Sequence, residues 1–178
     1  TVGYVEQAKF YYPLRGGIQA LYNAARRRAE ERGARFIQGE PVESVVVKGG
    51  VVVVNGKYKA ERVVSTIPLP ELIEALEPND ELREYAPRFD YNSVAVVAVA
   101  VGKEAPDMHW VYVPDRDVVF HRYVWLSNYS PYNAPRGKSL LLAEVTLPPG
   151  QAAGDWLVDR VVRDLARLGV VEEKDVLF

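Results

Sequence analysis

Arg15-Gly16-Gly17 is the first place in this 178-residue chain where residue types and spacing could serve chemistry. Two glycines let the backbone approach a ligand without a Cβ in the way. The apolar spacing that follows opens a helix, whose first turn offers unpaired N–H groups and a partial positive charge. Arg15 adds a full charge beside them. Such a corner suits a phosphate, a carboxylate or a flavin. Taken alone, the motif has a simpler account as a tight turn into a helix, with glycine accepted at the N-cap.

Arg122 is the second. Residues 118–127 read as a strand, and alternation groups Arg122 with Val118, Phe120, Val124 and Leu126. An arginine among four apolar residues is costly unless it is paired or faces a ligand. A carboxylate or phosphate of a ligand would answer it, and so would an acidic residue of the chain such as Glu144. The other face carries Val119, His121, Tyr123, Trp125 and Ser127. It reads either as an aromatic, mildly polar pocket wall for a planar molecule or as an ordinary packed sheet face. His109 and His121 read as half-exposed sheet histidines, because no Ser/His/Asp or Cys/His arrangement is visible. Asp115 and Asp117 read as turn formers rather than metal ligands.

Several elements must position these residues. Ile18, Leu21, Tyr22, Ala25 and Ala29 recur at helical spacing from Gly17 to about Arg32 and predict one buried stripe. Arg26, Arg27 and Arg28 alternate with Glu30 and Glu31, which reads as a solvated face and not a nucleic-acid patch. Gly33 stops the helix. Residues 34–38 read as a short strand. Residues 42–48, 51–54 and 57–60 form a meander, since Gly49-Gly50 and Asn55-Gly56 supply the positive φ angles of tight hairpin turns. Residues 62–67 read as a further strand halted by Pro68. A helix follows over 70–76, and Asn79 or Asp80 caps another that ends before Pro87. Residues 93–101 are almost wholly apolar, as in a central strand buried on both faces. Strands at 109–113, 118–127 and 139–147 and a helix at 155–168 complete the pattern. Trp156, Val158, Val161, Val162 and Leu165 are expected on that helix's apolar face.

Composition narrows the classes. Hydrophobic residues make up 48% and charged residues 26%, an ordinary globular balance, with a net charge of −2. That balance gives no reason to expect nucleic acid or an acidic membrane. With no cysteine there is no disulfide framework or thiolate site, and two histidines disfavour a His-rich metal centre, so no metal is expected. No apolar run approaches the roughly 20 residues that span a bilayer, and the start lacks the charged and apolar regions of a signal peptide. A cytoplasmic protein is the expectation. Both ends read as cut from a longer chain.

The order Tyr12-Pro13-Leu14-Arg15-Gly16-Gly17, charged helix, meander and Val63-Val64-Ser65-Thr66-Ile67-Pro68 resembles the middle of FAD-dependent flavoproteins of the amine oxidase and protoporphyrinogen oxidase group. Residues 109–114, 120–123, 127–131 and 134–135 resemble the substrate domain of the protoporphyrinogen oxidase-like members, to which UDP-galactopyranose mutase-like proteins are close relatives. The resemblance spans nearly the whole chain. It implies an α+β fold, with a mixed or antiparallel sheet and packed helices, as a fragment of a two-domain FAD-linked oxidoreductase. Residues 10–68 would be part of the FAD-binding domain, and 69–178 a substrate-domain-like sheet with helices.

The same resemblance implies cofactor positions at Arg15, Gly16 and Gly17. It adds Val42, on the strand near the adenine end of FAD, and Thr66 and Pro68, at the turn that passes the cofactor. These would be backbone contacts that set shape. Arg122, Tyr123 and Trp125 become the expected substrate positions, facing a small molecule. The alternatives are a mutase-like parent, whose basic residues meet the phosphates of a nucleotide sugar, and a non-catalytic domain or subunit completed by a partner chain. The sequence has no Gly-x-Gly-x-x-Gly following a strand, so the pyrophosphate cradle is absent from it. Nor does anything in it resemble the segment that covers the flavin ring in such proteins. FAD is therefore expected in the full-length parent and not on this chain alone, with the missing dinucleotide-binding segment or a partner chain completing the site.

Overall fold

In the computed structural model of the chain the described residues are 10–78, 80–89 and 91–178, with Asp80 described for its backbone only. The expected cap at Asn79 lies outside them. The chain divides into two compact units, one joining the segment up to Ala34 with Asn92–Phe178, the other Arg35–Tyr91.

The smaller unit is built on the meander. Strands β1 (Val45–Lys48), β2 (Val51–Val54) and β3 (Tyr58–Ala60) pair antiparallel in sequence order. In the three-residue loop between the last two, Val54 pairing with Tyr58, Asn55 and Gly56 take φ of 50° and 66° at the centre of a tight turn closed by the Lys57 N–H on the Val54 carbonyl at 3.0 Å. Asn55 has a second task. Its Oδ1 accepts from the N–H of Glu43 at 2.8 Å and of Ser44 at 3.2 Å, and its Nδ2 donates to the Pro41 carbonyl at 2.8 Å. Helix α2 (Leu69–Ala75) begins with Pro70 in its first turn, where a missing N–H costs nothing. It leads into a two-residue strand β4 (Leu76–Glu77) parallel to β1, so the sheet order is β3-β2-β1-β4. A short helix α3 (Asp80–Arg83) follows. Segments 34–38 and 62–67 join no ladder among the described residues, contrary to the sequence reading.

The larger unit starts with helix α1 (Gly17–Glu30), closed by Gly33 at φ 89° and by the Ala34 N–H on the Ala29 carbonyl at 3.0 Å. The predicted apolar stripe is present but not buried: Ile18, Leu21 and Tyr22 are 46%, 56% and 62% exposed. Nothing among the described residues covers it.

The main body is an antiparallel sheet of β5 (Ser93–Val101), β6 (Trp110–Tyr112), β7 (Arg122–Trp125) and β8 (Ser139–Leu147), in the order β5-β8-β7-β6. Nine consecutive pairs join β5 to β8, from Ser93 opposite Leu147 to Val101 opposite Ser139. Helix α4 (Asp155–Arg167) packs on one face of this sheet. Leu157, Val161 and Leu165, at i, i+4 and i+8, enter a core with Val99, Val101, Phe120, Trp125, Leu141, Ala143 and Val145. Trp156 and Val158, expected on the buried face, are half exposed. The Trp156 ring instead lies over Gly154, where an added Cβ would come within 3.1 Å of it.

Two further expectations change. Among the described residues 93–101 form the edge of the four-stranded sheet and not its centre, with Ala100 and Val101 met on the outer side by residues 176–178, and Val94 and Val96 on the open face are 57% and 55% exposed. Residues 118–121 precede β7 rather than extend it, which breaks the alternation assumed across 118–127. Asp164 fixes that approach: buried in α4, its Oδ2 accepts from the Val119 N–H and from Arg160 Nε, both at 2.9 Å.

Candidate functional site

The break in alternation decides which face of β7 meets the core. Tyr123 and Trp125 are 6% and 1% exposed and belong to the packed face under α4. Arg122 belongs to the other face, and the burial that surrounds Tyr123 raises its hydroxyl pKa. The three expected substrate positions thus lie on two faces, and the face read as a pocket wall is, at Tyr123 and Trp125, a packed one. Arg122 stands on the open face, while Tyr123 and Trp125 hold the sheet from behind.

On the open face Arg122 lies directly opposite Glu144 of β8. Nε reaches Oε2 at 3.0 Å, and NH2 reaches both carboxylate oxygens at 2.6 Å. On the other side NH1 approaches the Tyr112 hydroxyl at 3.4 Å, with the guanidinium carbon 5.7 Å from the Tyr112 ring centroid. The bonds to Glu144, then to Tyr112, hold the guanidinium pKa above its ordinary value. The result is a charge-neutral pair of fixed direction. His121 closes the group, with Nδ1 3.1 Å from Thr146 Oγ1 and Nε2 3.8 Å from Glu144 Oε2.

Aromatic rings extend this surface. Trp110 and Tyr112 of β6 are 42% and 64% exposed. Phe10 packs at 5.4 Å from Trp110, 5.7 Å from His109 and 4.8 Å from Tyr129, and Tyr12 lies 5.3 Å from Tyr129. Tyr129 is the junction. Burial raises its pKa, and the charges of Arg122 and Glu144 both act on it. His109 thus sits in a ring cluster. Asp115 forms a turn, its Oδ1 accepting from the Asp117 N–H at 2.8 Å. Among the described residues no group of His, Cys, Asp and Glu could hold a metal ion.

The Arg15-Gly16-Gly17 corner opens α1. Gly16 and Gly17 have φ of 79° and 60°, a pair of left-handed residues that a side chain would strain. The fold itself uses their smallness: a Cβ on Gly16 would meet Ala20 Cβ at 3.3 Å, and one on Gly17 the Tyr12 hydroxyl at 3.4 Å. The helix start has no side-chain cap and no acidic residue in its first turn. An uncapped, cation-flanked helix start without a Cβ at its corner fits the edge of a planar electron acceptor such as a flavin ring, whose carbonyl oxygens gain negative charge on reduction. The nucleotide cradle has no counterpart in the sequence. In the smaller unit, Val42 and Thr66 are exposed, and Pro68 directly precedes α2.

The family model for flavin-containing amine oxidoreductases matches residues 3–177. The chain belongs to that family. Its fold matches a crystal structure of reduced UDP-galactopyranose mutase at a TM-score of 0.79, with 20% identity over 94% of this chain and 38% of the other. A second match is the PF1083 protein from Pyrococcus furiosus, at a TM-score of 0.66, with 16% identity over 86% of this chain and 40% of that one. The chain thus spans about two fifths of the length of the structures it matches. The α+β class and the flavoprotein resemblance read from sequence agree with these findings, and FAD agrees with a family described as flavin-containing. No helix among the described residues is long and apolar enough to cross a membrane.

Sequence reasoning missed Tyr112, Ser130 and Tyr132. Tyr112 carried a signal, since it shares a face of its strand with Trp110. Ser130 meets the Leu14 carbonyl and Tyr132 the Arg15 guanidinium, contacts between positions more than a hundred residues apart that no spacing rule reveals.

Proposed function

We propose that the chain is part of an FAD-dependent oxidoreductase of the amine oxidase and protoporphyrinogen oxidase kind, in which the open sheet face is the substrate-side wall. The observation that carries this reading is the bidentate Arg122–Glu144 pair among Trp110, Tyr112 and Tyr129. A guanidinium already matched by a carboxylate leaves the wall neutral and aromatic. That suits a planar, weakly charged substrate better than a diphosphate, which would have to displace Glu144.

When bound, FAD supplies the acceptor for a hydride from the substrate. The chain's own residues bind and orient. Trp110 and Tyr112 offer ring faces for stacking, Arg122 fixes the Tyr112 hydroxyl, and Tyr129 excludes water beside the ion pair. Arg15, Gly16 and Gly17 would meet the cofactor through backbone N–H groups and one positive charge. Val42, Thr66 and Pro68 of the smaller unit are proposed as further backbone contacts. A pyrophosphate cradle supplied by another segment or chain completes the site, so the 178-residue chain purified alone is expected to be colourless.

The test is reduction of the full-length protein's flavin under anaerobic conditions. Bleaching of the visible band by an amine or a porphyrinogen, with recolouring on air, is the expected result. Isomerisation of a nucleotide sugar by the reduced protein without net oxidation would overturn it in favour of a mutase. A full-length protein with no flavin would make this a non-catalytic domain.

A further inference from the structure

The corner at Arg15-Gly16-Gly17 is held at both ends by one short segment of the same unit, residues 129–132. Ser130, 3% exposed, donates its hydroxyl to the Leu14 carbonyl at 2.5 Å, and the same oxygen accepts from the Tyr132 N–H at 3.2 Å. Arg15 NH2 donates to the Tyr132 hydroxyl at 2.8 Å, and its guanidinium carbon lies 3.8 Å from the centroid of that ring. The Tyr12 ring meets Tyr129 edge-on at 5.3 Å. Residues 12, 14 and 15 are therefore all referenced to 129, 130 and 132. That segment follows β7 after a single turn at Leu126–Asn128, so the strand that carries Arg122 also carries the grip on the glycine corner.

Fold stability accounts for the buried Ser130 bond but gives little reason for the Arg15–Tyr132 contact. Arg15 and Tyr132 are both exposed, and restraining a surface cation contributes little to folding. What it does is fix the direction of the one charge beside an uncapped helix start, which is what a preorganised ligand edge needs. We propose that Ser130 and Tyr132 are positioning residues. They set the glycine corner against the open sheet face, Ser130 through the Leu14 carbonyl and Tyr132 through the Arg15 guanidinium, so that cofactor edge and substrate wall are placed by one loop. The role rests on the flavin reading above; the grip does not.

Two measurements separate them. In the 178-residue chain without cofactor, the Arg15 δ-methylene protons should be shifted upfield by the Tyr132 ring and should return to ordinary values in Tyr132→Ala. An unshifted Arg15 overturns the grip whatever the flavin does. In the flavin-loaded full-length protein, Ser130→Ala and Tyr132→Ala should each weaken FAD binding about tenfold, the scale of one charge-assisted or buried hydrogen bond. Each should also shift the visible band of the flavin that remains bound. In an Arg15→Ala background Tyr132→Ala should add nothing, whereas full additivity would overturn action through Arg15.

Asn133→Ala is the structural control. It removes the Nδ2 bond to the Leu126 carbonyl at 2.8 Å in the same loop, and should lower Tm without moving FAD affinity or spectrum. An equal loss of FAD there would show general loop damage and overturn the positioning role. If the wild-type full-length protein binds no flavin, the functional reading falls and the role falls with it, while the Arg15 shift still reports on the grip.

Discussion

The two faces of the β5-β8-β7-β6 sheet come from the same strands and meet different surroundings. Behind the sheet, Val99, Leu141, Ala143 and Val145 are closed off by α4 to 1% exposure or less. In front, Val94 and Val96 stay open beside a fixed ion pair and a row of rings. The back face has the composition of a core, with one carboxylate, Asp164, satisfied by Val119 and Arg160. The front face keeps apolar residues exposed and spends its polar groups on one another, which is how a surface shaped for a ligand or a covering segment differs from a solvated one.

The same substitution placed on each face breaks the comparison most sharply. Val145→Thr buries a hydroxyl in the core and should cost about 1–3 kcal/mol, whereas Val96→Thr should change stability by less than about 0.5 kcal/mol. Denaturant unfolding followed by circular dichroism reads both, and equal losses would mean that the front face is covered in solution. Glu144→Gln comes next. It leaves Arg122 with half a partner at a partly exposed site and should cost about 1 kcal/mol. Arg122→Met combined with Glu144→Gln should cost less than the sum of the two single changes.

The smallest effect lies in the other unit. Glu40 accepts from Lys57 Nζ at 2.8 Å and from the Tyr58 hydroxyl at 2.9 Å, and these bonds hold its carboxyl below the ordinary 4.5. Its contribution is therefore complete above pH 4.5 and is lost as pH falls through the lower folded value. The acid limb of the meander's stability should flatten in Glu40→Gln, while the sheet of the larger unit is unaffected.

Much of the architecture was legible. β2, β5 and β8 begin and end where the apolar runs do, and Gly49-Gly50 and Asn55-Gly56 mark the two hairpins. What failed was whatever depends on a neighbour. Residues 34–38 and 62–67 have strand composition but join no ladder among the described residues, and nothing among those residues covers the apolar stripe of α1. Residues 93–101 are apolar on both faces, but composition cannot say which face finds a cover or which edge stays free. The site followed the same rule. Arg122 with Glu144 could be read because a partly buried arginine demands a partner, whereas the packing of Val118 and Phe120 with Tyr123 and Trp125 could not, since the alternation ends where Asp164 holds the Val119 N–H.

The chain's last residues have a practical side. Leu177 donates to the Ala100 carbonyl at 2.9 Å and Ala100 to the Phe178 carbonyl at 3.0 Å, while the Phe178 ring stays 80% exposed. A dye or fusion tag attached after Phe178 would start from the rim of the sheet, at a known place beside β5. Its anisotropy or energy transfer would report on the larger unit as a body, not on a loosely tumbling tail.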